Sequence, residues 1–162
     1  MGMSKGKGQK AKYVMIRIIK LSIISVVVIF IILLLISLMI PSTVRTSRAI
    51  NIEAPVNIIY PLLADTANWS KWNELKNDRI QVKPARSDSN LIRTDWSYDN
   101  RTIHSFYRIE RLGDVTVVQW YFEFPLKWYP WEKFASITFE KQFGPPMETS
   151  LINLKNLVTN SP

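Results

Sequence analysis

Residues 50–73, INIEAPVNIIYPLLADTANWSKWN, decide how the rest of the chain is organised. The stretch begins as the end of an alternating run. Val44, Thr46, Arg48, Ile50 and Ile52 alternate with Arg45, Ser47, Ala49, Asn51 and Glu53, the period of two expected of a half-buried strand. Pro55 follows Ala54 and suits the first position of a helix, where its missing N–H costs nothing. Val56, Ile59, Tyr60 and Leu63 then share one helical face, and Pro61 inside that pattern predicts a short or kinked helix. Asp65-Thr66 can cap a second short helical turn. That turn carries Trp69 and Trp72, three apart and therefore projecting from one side. Two readings are open for the pair: wall of a core or rim of a pocket.

Upstream, residues 21–40 read LSIISVVVIFIILLLISLMI, without a charge, a proline or a glycine. Twenty residues at about 1.5 Å each give about 30 Å, the thickness of a bilayer's hydrocarbon core. The run is longer than the roughly 7–15 apolar residues of a signal peptide, and Met39-Ile40-Pro41 offers no small-residue cleavage site. A membrane anchor over residues 13–40 is expected, preceded by a basic, disordered segment 1–12 and followed by a tethered domain over 44–162. The formal net charge of +8 is unevenly placed. Lys5, Lys7, Lys10, Lys12, Arg17 and Lys20 fall in the first 20 residues with no acid among them, and the rest of the chain nearly balances. A basic excess beside an apolar span sets orientation. The N-terminus is expected in the cytoplasm and the domain on the extracytoplasmic face, with the bilayer rather than nucleic acid as the partner of the lysines. The absence of cysteine removes disulfides, thiol nucleophiles and thiolate zinc sites.

Downstream, four stretches alternate as strands. Ile80 and Val82 share a face in 79–83. Ile92, Thr94, Trp96 and Tyr98 do so in 91–98, Ile103, Ser105, Tyr107 and Ile109 in 102–111, and Thr116, Val118, Trp120, Phe122 and Phe124 in 115–124. Asp99-Asn100 and Leu112-Gly113-Asp114 are the expected hairpin turns. Residues 131–143 are expected to be helical, with Phe134, Ile137, Thr138 and Lys141 at helical spacing. Gly144-Pro145-Pro146 is expected to interrupt the helix before a stripe of Met147, Leu151, Leu154 and Val158. The order predicts an α+β domain: an antiparallel sheet of about five strands with one face covered by a long C-terminal helix.

These residues resemble the START-like, or SRPBCC, superfamily in its polyketide cyclase/dehydrase branch. The resemblance rests on Ile50, Ile52, Ala54, Pro55, Leu63, Asn68, Trp69, Lys71 and Trp72 at one end. At the other it rests on the hairpin LGDVTVVQWYFEF and on Gly144, Pro145, Leu151, Asn153, Leu154, Lys155 and Leu157. It implies the helix-grip fold, a sheet curled over the C-terminal helix with a cavity between them. Bacterial members with a membrane helix directly before the first strand share this layout. The departure lies in residues 74–101, which hold two candidate strands and no glycine, where the family usually has more. A fold of this kind hosts many functions, so the site must be argued separately.

Chemistry-bearing residues are few. His104 is the single histidine, read as an exposed strand residue ahead of a general base. Asp95 and Glu123 are strand acids, read as partners of Arg93 or Arg108 ahead of cavity acids. No metal-ligand spacing occurs and no cofactor is expected. The aromatics are the stronger signal. Trp69, Trp72, Trp96, Tyr98, Tyr107, Trp120, Phe122 and Phe124, with Leu151 and Leu154, are either a packed core or the wall of a pocket for an apolar ligand. Trp128, Tyr129 and Trp131, beside Lys127, are candidates for the membrane interface, as is Lys20 at the other end of the span. Three functions stay open: non-covalent binding of an apolar small molecule or lipid, a cyclase/dehydrase-type enzyme using His104 or Asp95, and an interaction module with a vestigial cavity.

Overall fold

The computed structural model describes residues 5–76, 80–88, 90–98 and 101–160, with the backbone alone at 5–9, 11, 84–86, 98 and 101. The expected Asp99-Asn100 turn lies outside the described residues. Helix α1 spans Lys5–Met39, and its segment from Lys12 is long and apolar enough to cross a membrane. The helix thus includes residues 5–12, expected to be disordered. Helix propagation is cheap once nucleated, and Gln9, Lys10, Ala11 and Lys12 are all good helix formers.

The alternating run forms β1 (Thr43–Ile52), and α2 (Val56–Ala64) follows. Pro55 stands one position earlier than expected, at the N-cap, and α2 ends three residues after Pro61. Asp65 then accepts from the Ala67 N–H at 2.9 Å and caps the 3₁₀ turn Thr66–Lys71. Strands β2 (Gln81–Asp88), β3 (Leu91–Tyr98), β4 (Arg101–Leu112) and β5 (Val115–Pro125) complete one antiparallel sheet in the order β1-β5-β4-β3-β2. Pro84 and a register shift before Ser87 sit in β2, an edge strand, where a missing N–H breaks no ladder. Leu112 pairs with Val115 across a two-residue turn in which Gly113 has φ +63°. The register fixes two ends. Thr43 pairs with Pro125 at the end where the chain enters from α1, and Gln81, Tyr98 and Arg101 lie at that same end. Ile52 and the Gly113 hairpin lie at the other.

The C-terminal segment is α3 (Pro130–Ala135), a 3₁₀ turn Ser136–Thr138, and α4 (Phe139–Thr159). The expected interruption at Gly144-Pro145-Pro146 does not occur. The prolines withdraw the N–H groups that Lys141 and Gln142 carbonyls would use, but both residues are exposed and water can replace those bonds. The expected stripe also shifts. Ile137, Thr138 and Lys141 are exposed, and the face turned to the sheet runs Phe139, Phe143, Met147, Leu151, Leu154 and Val158.

Four tryptophans fill the interior. Trp69 (0% exposed), Trp72 (1%), Trp96 and Trp120 pack with Tyr107 and Phe122, ring centroids 5.1–6.2 Å apart. Each buried indole N–H has an acceptor. Trp69 donates to Leu63 O (3.0 Å) and Trp72 to Leu62 O (3.3 Å), carbonyls of the last turn of α2 that lack helical partners. Trp96 donates to Thr94 Oγ1 (3.0 Å) and Trp120 to Ser105 Oγ (2.8 Å).

Two features generate predictions. Arg48, from β1, reaches Glu140 (2.5 Å) and Glu148 (3.9 Å) of α4, and its guanidinium lies over Gly144, where an added Cβ would overlap it. Alanine is better than glycine in a helix by about 1 kcal/mol. Gly144→Ala will therefore raise the unfolding midpoint of the detergent-solubilised chain in an Arg48→Ala background, and raise it less or lower it when Arg48 is present. Equal effects in the two backgrounds would refute the clamp.

The second feature is the Tyr107 hydroxyl, which is buried without a hydrogen-bond partner. Burial holds its ionisation well above the ordinary phenol range, and the nearby Ser105 hydroxyl, which accepts from the Trp120 N–H and falls outside hydrogen-bond geometry with Tyr107, pulls it the other way. The unfolded chain ionises tyrosine near pH 10, so the stability Tyr107 allows is present below about pH 10 and lost as pH rises above it. Tyr107→Phe should raise stability at pH 7 by about 1 kcal/mol, since an unpaired buried hydroxyl is removed. Urea titrations from pH 7 to 11 should show that gain widening above pH 10.

Candidate functional site

The side chains that fill the interior stop short of one end of the sheet, and a cleft of about 340 Å³ opens there. Its floor is Trp96 of β3, Ile103 of β4 and Phe122 of β5. Phe143 of α4 closes one side, and Leu75 with Ile80, from the two sides of the connection into β2, closes the other. Glu74 and Gln142, both exposed, supply a carboxylate and an amide. The register explains the location. Ile103 and Trp96 are each two residues from the strand ends at which α1 delivers the chain, and Phe122 is three from Pro125. The Glu74 side of the cleft is held in place: the Glu74 N–H donates to Ser150 Oγ (3.0 Å) on α4, and Ser150 Oγ donates to Pro146 O (2.6 Å). Leu75 N–H donates to Asn73 Oδ1 at 3.0 Å, and Lys76 Nζ donates to Thr66 O at 2.5 Å. An aromatic floor with two polar side chains among its lining can hold an apolar body and orient one polar end.

Of the expected ligand-contacting residues, Trp96 and Phe122 line this cleft. Trp69, Trp72, Tyr107, Trp120, Leu151 and Leu154 are in the packed interior, and Phe124 packs on Phe139 and Phe143. The side chain of Tyr98 lies outside the described residues. Glu74, Leu75, Gln142 and Phe143 were missed. Phe143 had a signal in its four-residue spacing from Phe139 and Met147, but the assumed break at the prolines divided that stripe.

His104 and Asp95 stand on the opposite face of the sheet. The His104 ring bonds Asp95 at 2.7 Å, with Arg93 3.5 Å from the same carboxylate. The His104 hydrogen bond holds the Asp95 carboxyl below its ordinary range against the opposing effect of burial, and the charge of Arg93 adds to the lowering. The pair belongs to a cross-strand row, Arg45–Glu123–His104–Asp95–Lys83, running through all five strands. Glu123 bonds Arg45 at 2.9 Å rather than Arg108. Phe106 and Tyr121 stack beside this row, and Arg45 covers Tyr121 at 3.9 Å. None of these charged groups reaches the cleft. Among the described residues, no group of three or more His, Asp or Glu is placed to hold a metal.

The remaining candidates lie where the domain meets α1. Trp128 and Trp131 are 66% and 65% exposed, and Tyr129 stacks on Trp131 at 4.9 Å and 6°. Lys20 is exposed on α1, 20 residues before Ile40.

No family model and no curated protein matches the sequence. Solved structures do match the fold. CalU16 from Micromonospora echinospora aligns with a TM-score of 0.54 at 14% identity, over 74% of this chain and 84% of CalU16. DynU16, a protein in the dynemicin biosynthetic locus, aligns with a TM-score of 0.55 at 10% identity over 72% of this chain. This chain spans about half of DynU16, 47% of its length. Truncated norcoclaurine synthase from Thalictrum flavum aligns with a TM-score of 0.57 at 11% identity, over 74% of this chain and 96% of the synthase. At such identities the likeness is one of fold: the domain after α1 has the helix-grip architecture.

Proposed function

We propose that the chain is a single-pass membrane protein whose domain 44–162 binds an apolar small molecule or a lipid chain without covalent chemistry, in the cleft over Trp96 and Phe122. In this reading α1 is the anchor, the lysines before it keep the N-terminus in the cytoplasm, and the domain stands on the extracytoplasmic face. The observation that carries the binding function is the lining itself. Aromatic and aliphatic side chains form the floor, and the carboxylate and amide of Glu74 and Gln142 offer a polar end its partner. Norcoclaurine synthase is named as an enzyme, but here His104 and Asp95 are hydrogen-bonded to each other on the far face of the sheet, which favours binding over catalysis by these two residues.

A second reading, an interaction module without a ligand, is favoured by one observation: the Trp69–Trp72–Tyr107–Trp120 cluster leaves the centre of the grip filled. Native mass spectrometry of the full chain released from detergent separates the two. The binding reading expects a bound apolar species or uptake from a panel of fatty acids, lipids and small aromatics. Ile103→Trp, which fills the cleft, should weaken uptake at least about tenfold while the unfolding midpoint stays near wild type, and His104→Ala should leave uptake unchanged. No bound species and no uptake from the panel would leave the interaction reading standing. Loss of uptake in His104→Ala alone would move the site to the other face.

A further inference from the structure

Helix α1 is exposed on nearly every side, but Leu34, Ser37 and Ile40 are at least partly covered, and α3 is the element that contacts α1. Lys133 of α3 is only 5% exposed, and its ammonium donates to Ile40 O at 2.5 Å. A cation at a helix C-terminus meets the negative end of the macrodipole and an otherwise unpaired carbonyl. Leu126 N–H donates to Ser42 O at 2.8 Å, so the chain on both sides of the Trp128 loop is tied to the exit of the span. Three residues, 40–42, separate α1 from β1 and reach about 10 Å at most. Ser37 lies about 5 Å below Ile40 along the helix. A helix that packs there is level with the end of the apolar span.

The side chains that this helix and its flanks leave uncovered are of the kind that layer selects. Trp128, Trp131 and Ile137 are the exposed large apolar residues of the segment, and Lys127 beside them is exposed as well. On the rest of the domain the exposed large apolar residues, among those described, are Ile58, Leu112 and Ile152, each on a different element. Tryptophan and tyrosine concentrate where acyl chains meet headgroups, and a lysine beside them can reach anionic phosphates.

We propose that α3 and its flanks, through Trp128, Trp131 and Ile137, form a second membrane contact, seated in the interfacial layer of the leaflet from which α1 emerges. This rests on α1 spanning the bilayer. It goes further by fixing how the domain sits: the end of the sheet that carries the cleft faces the lipid, and the Gly113 hairpin points away. The occupant of the patch is the bilayer rather than a second copy, because the same element is bonded to the exit of the span.

The absence of native cysteine allows single labels in the full chain. Spin labels at Trp131→Cys, Ile137→Cys, Ile29→Cys and Leu112→Cys, in vesicles of phosphatidylcholine and phosphatidylglycerol, report depth through collision with oxygen and with a water-soluble nickel chelate. The expected result is nickel access at 131 and 137 at least about fivefold below that at 112, with 29 deep in the hydrocarbon. If 131 and 137 are as open to nickel as 112 while 29 stays in the hydrocarbon, the docking proposal falls and the anchor stands. If 29 is also in water, both fall. Dipolar broadening at 131 that vanishes on dilution with unlabelled chain would mean that a second copy covers the patch, and would overturn the proposal. The labelled sites are exposed, so each variant retains the packed interior.

Discussion

A buried indole has one polar atom, and the domain is arranged so that four of them are paired. An unpaired buried donor costs about 1–3 kcal/mol, enough in sum to cancel the stability of a small domain. The tryptophan pair after α2 solves two problems at once. Pro61 keeps α2 short, its last carbonyls need donors, and Trp69 and Trp72 supply them while filling the space against the sheet. The other two tryptophans explain why Thr94 and Ser105, both polar, occupy inward positions on β3 and β4. The Tyr107 hydroxyl is the exception among the rings at the centre of this cluster.

That cluster occupies the middle, and the cleft lies at one end of the sheet. The two faces divide the chemistry. Inward positions carry rings and aliphatic side chains. Outward positions on the same strands carry the polar row Arg45, Glu123, His104, Asp95 and Lys83. A strand's period of two imposes this separation, and it places these five side chains on the side away from the cleft. Among the described residues the Arg48 clamp is the charged reach across the inner side, and it acts at the edge strand, where α4 crosses and Gly144 leaves room.

Local rules made much of this legible in the sequence. Alternation located the inward faces of β1, β3, β4 and β5, the apolar run located α1, and Asp65 was readable as the cap of the turn that carries Trp69. These signals are short-range. Proline chemistry misled, because Gly144-Pro145-Pro146 reads as a break by propensity alone. Whether the freed carbonyls can be solvated depends on which side of the helix faces the sheet, which is a tertiary fact. The same error hid Phe143. Glu74 and Gln142 carried no pattern at all. They reach the cleft because the turn after Trp72 is pinned to Ser150, a contact between residues 76 apart in sequence. Trp128 and Trp131, read from their place beside Lys127 as candidates for the membrane interface, are both exposed.

The size of the cleft limits what occupancy can mean. About 340 Å³ is the room of roughly a dozen water molecules at about 30 Å³ each. A two-chain phospholipid does not fit, whereas a single short acyl segment or a small ring system does. At about 0.5 kcal/mol for each of a dozen heavy atoms the binding free energy is about 6 kcal/mol, a dissociation constant of tens of micromolar. Complexes of that strength live for milliseconds rather than hours. Under the proposed binding function a guest held so briefly would suit sampling and hand-over better than storage, and the filled interior would set that limit.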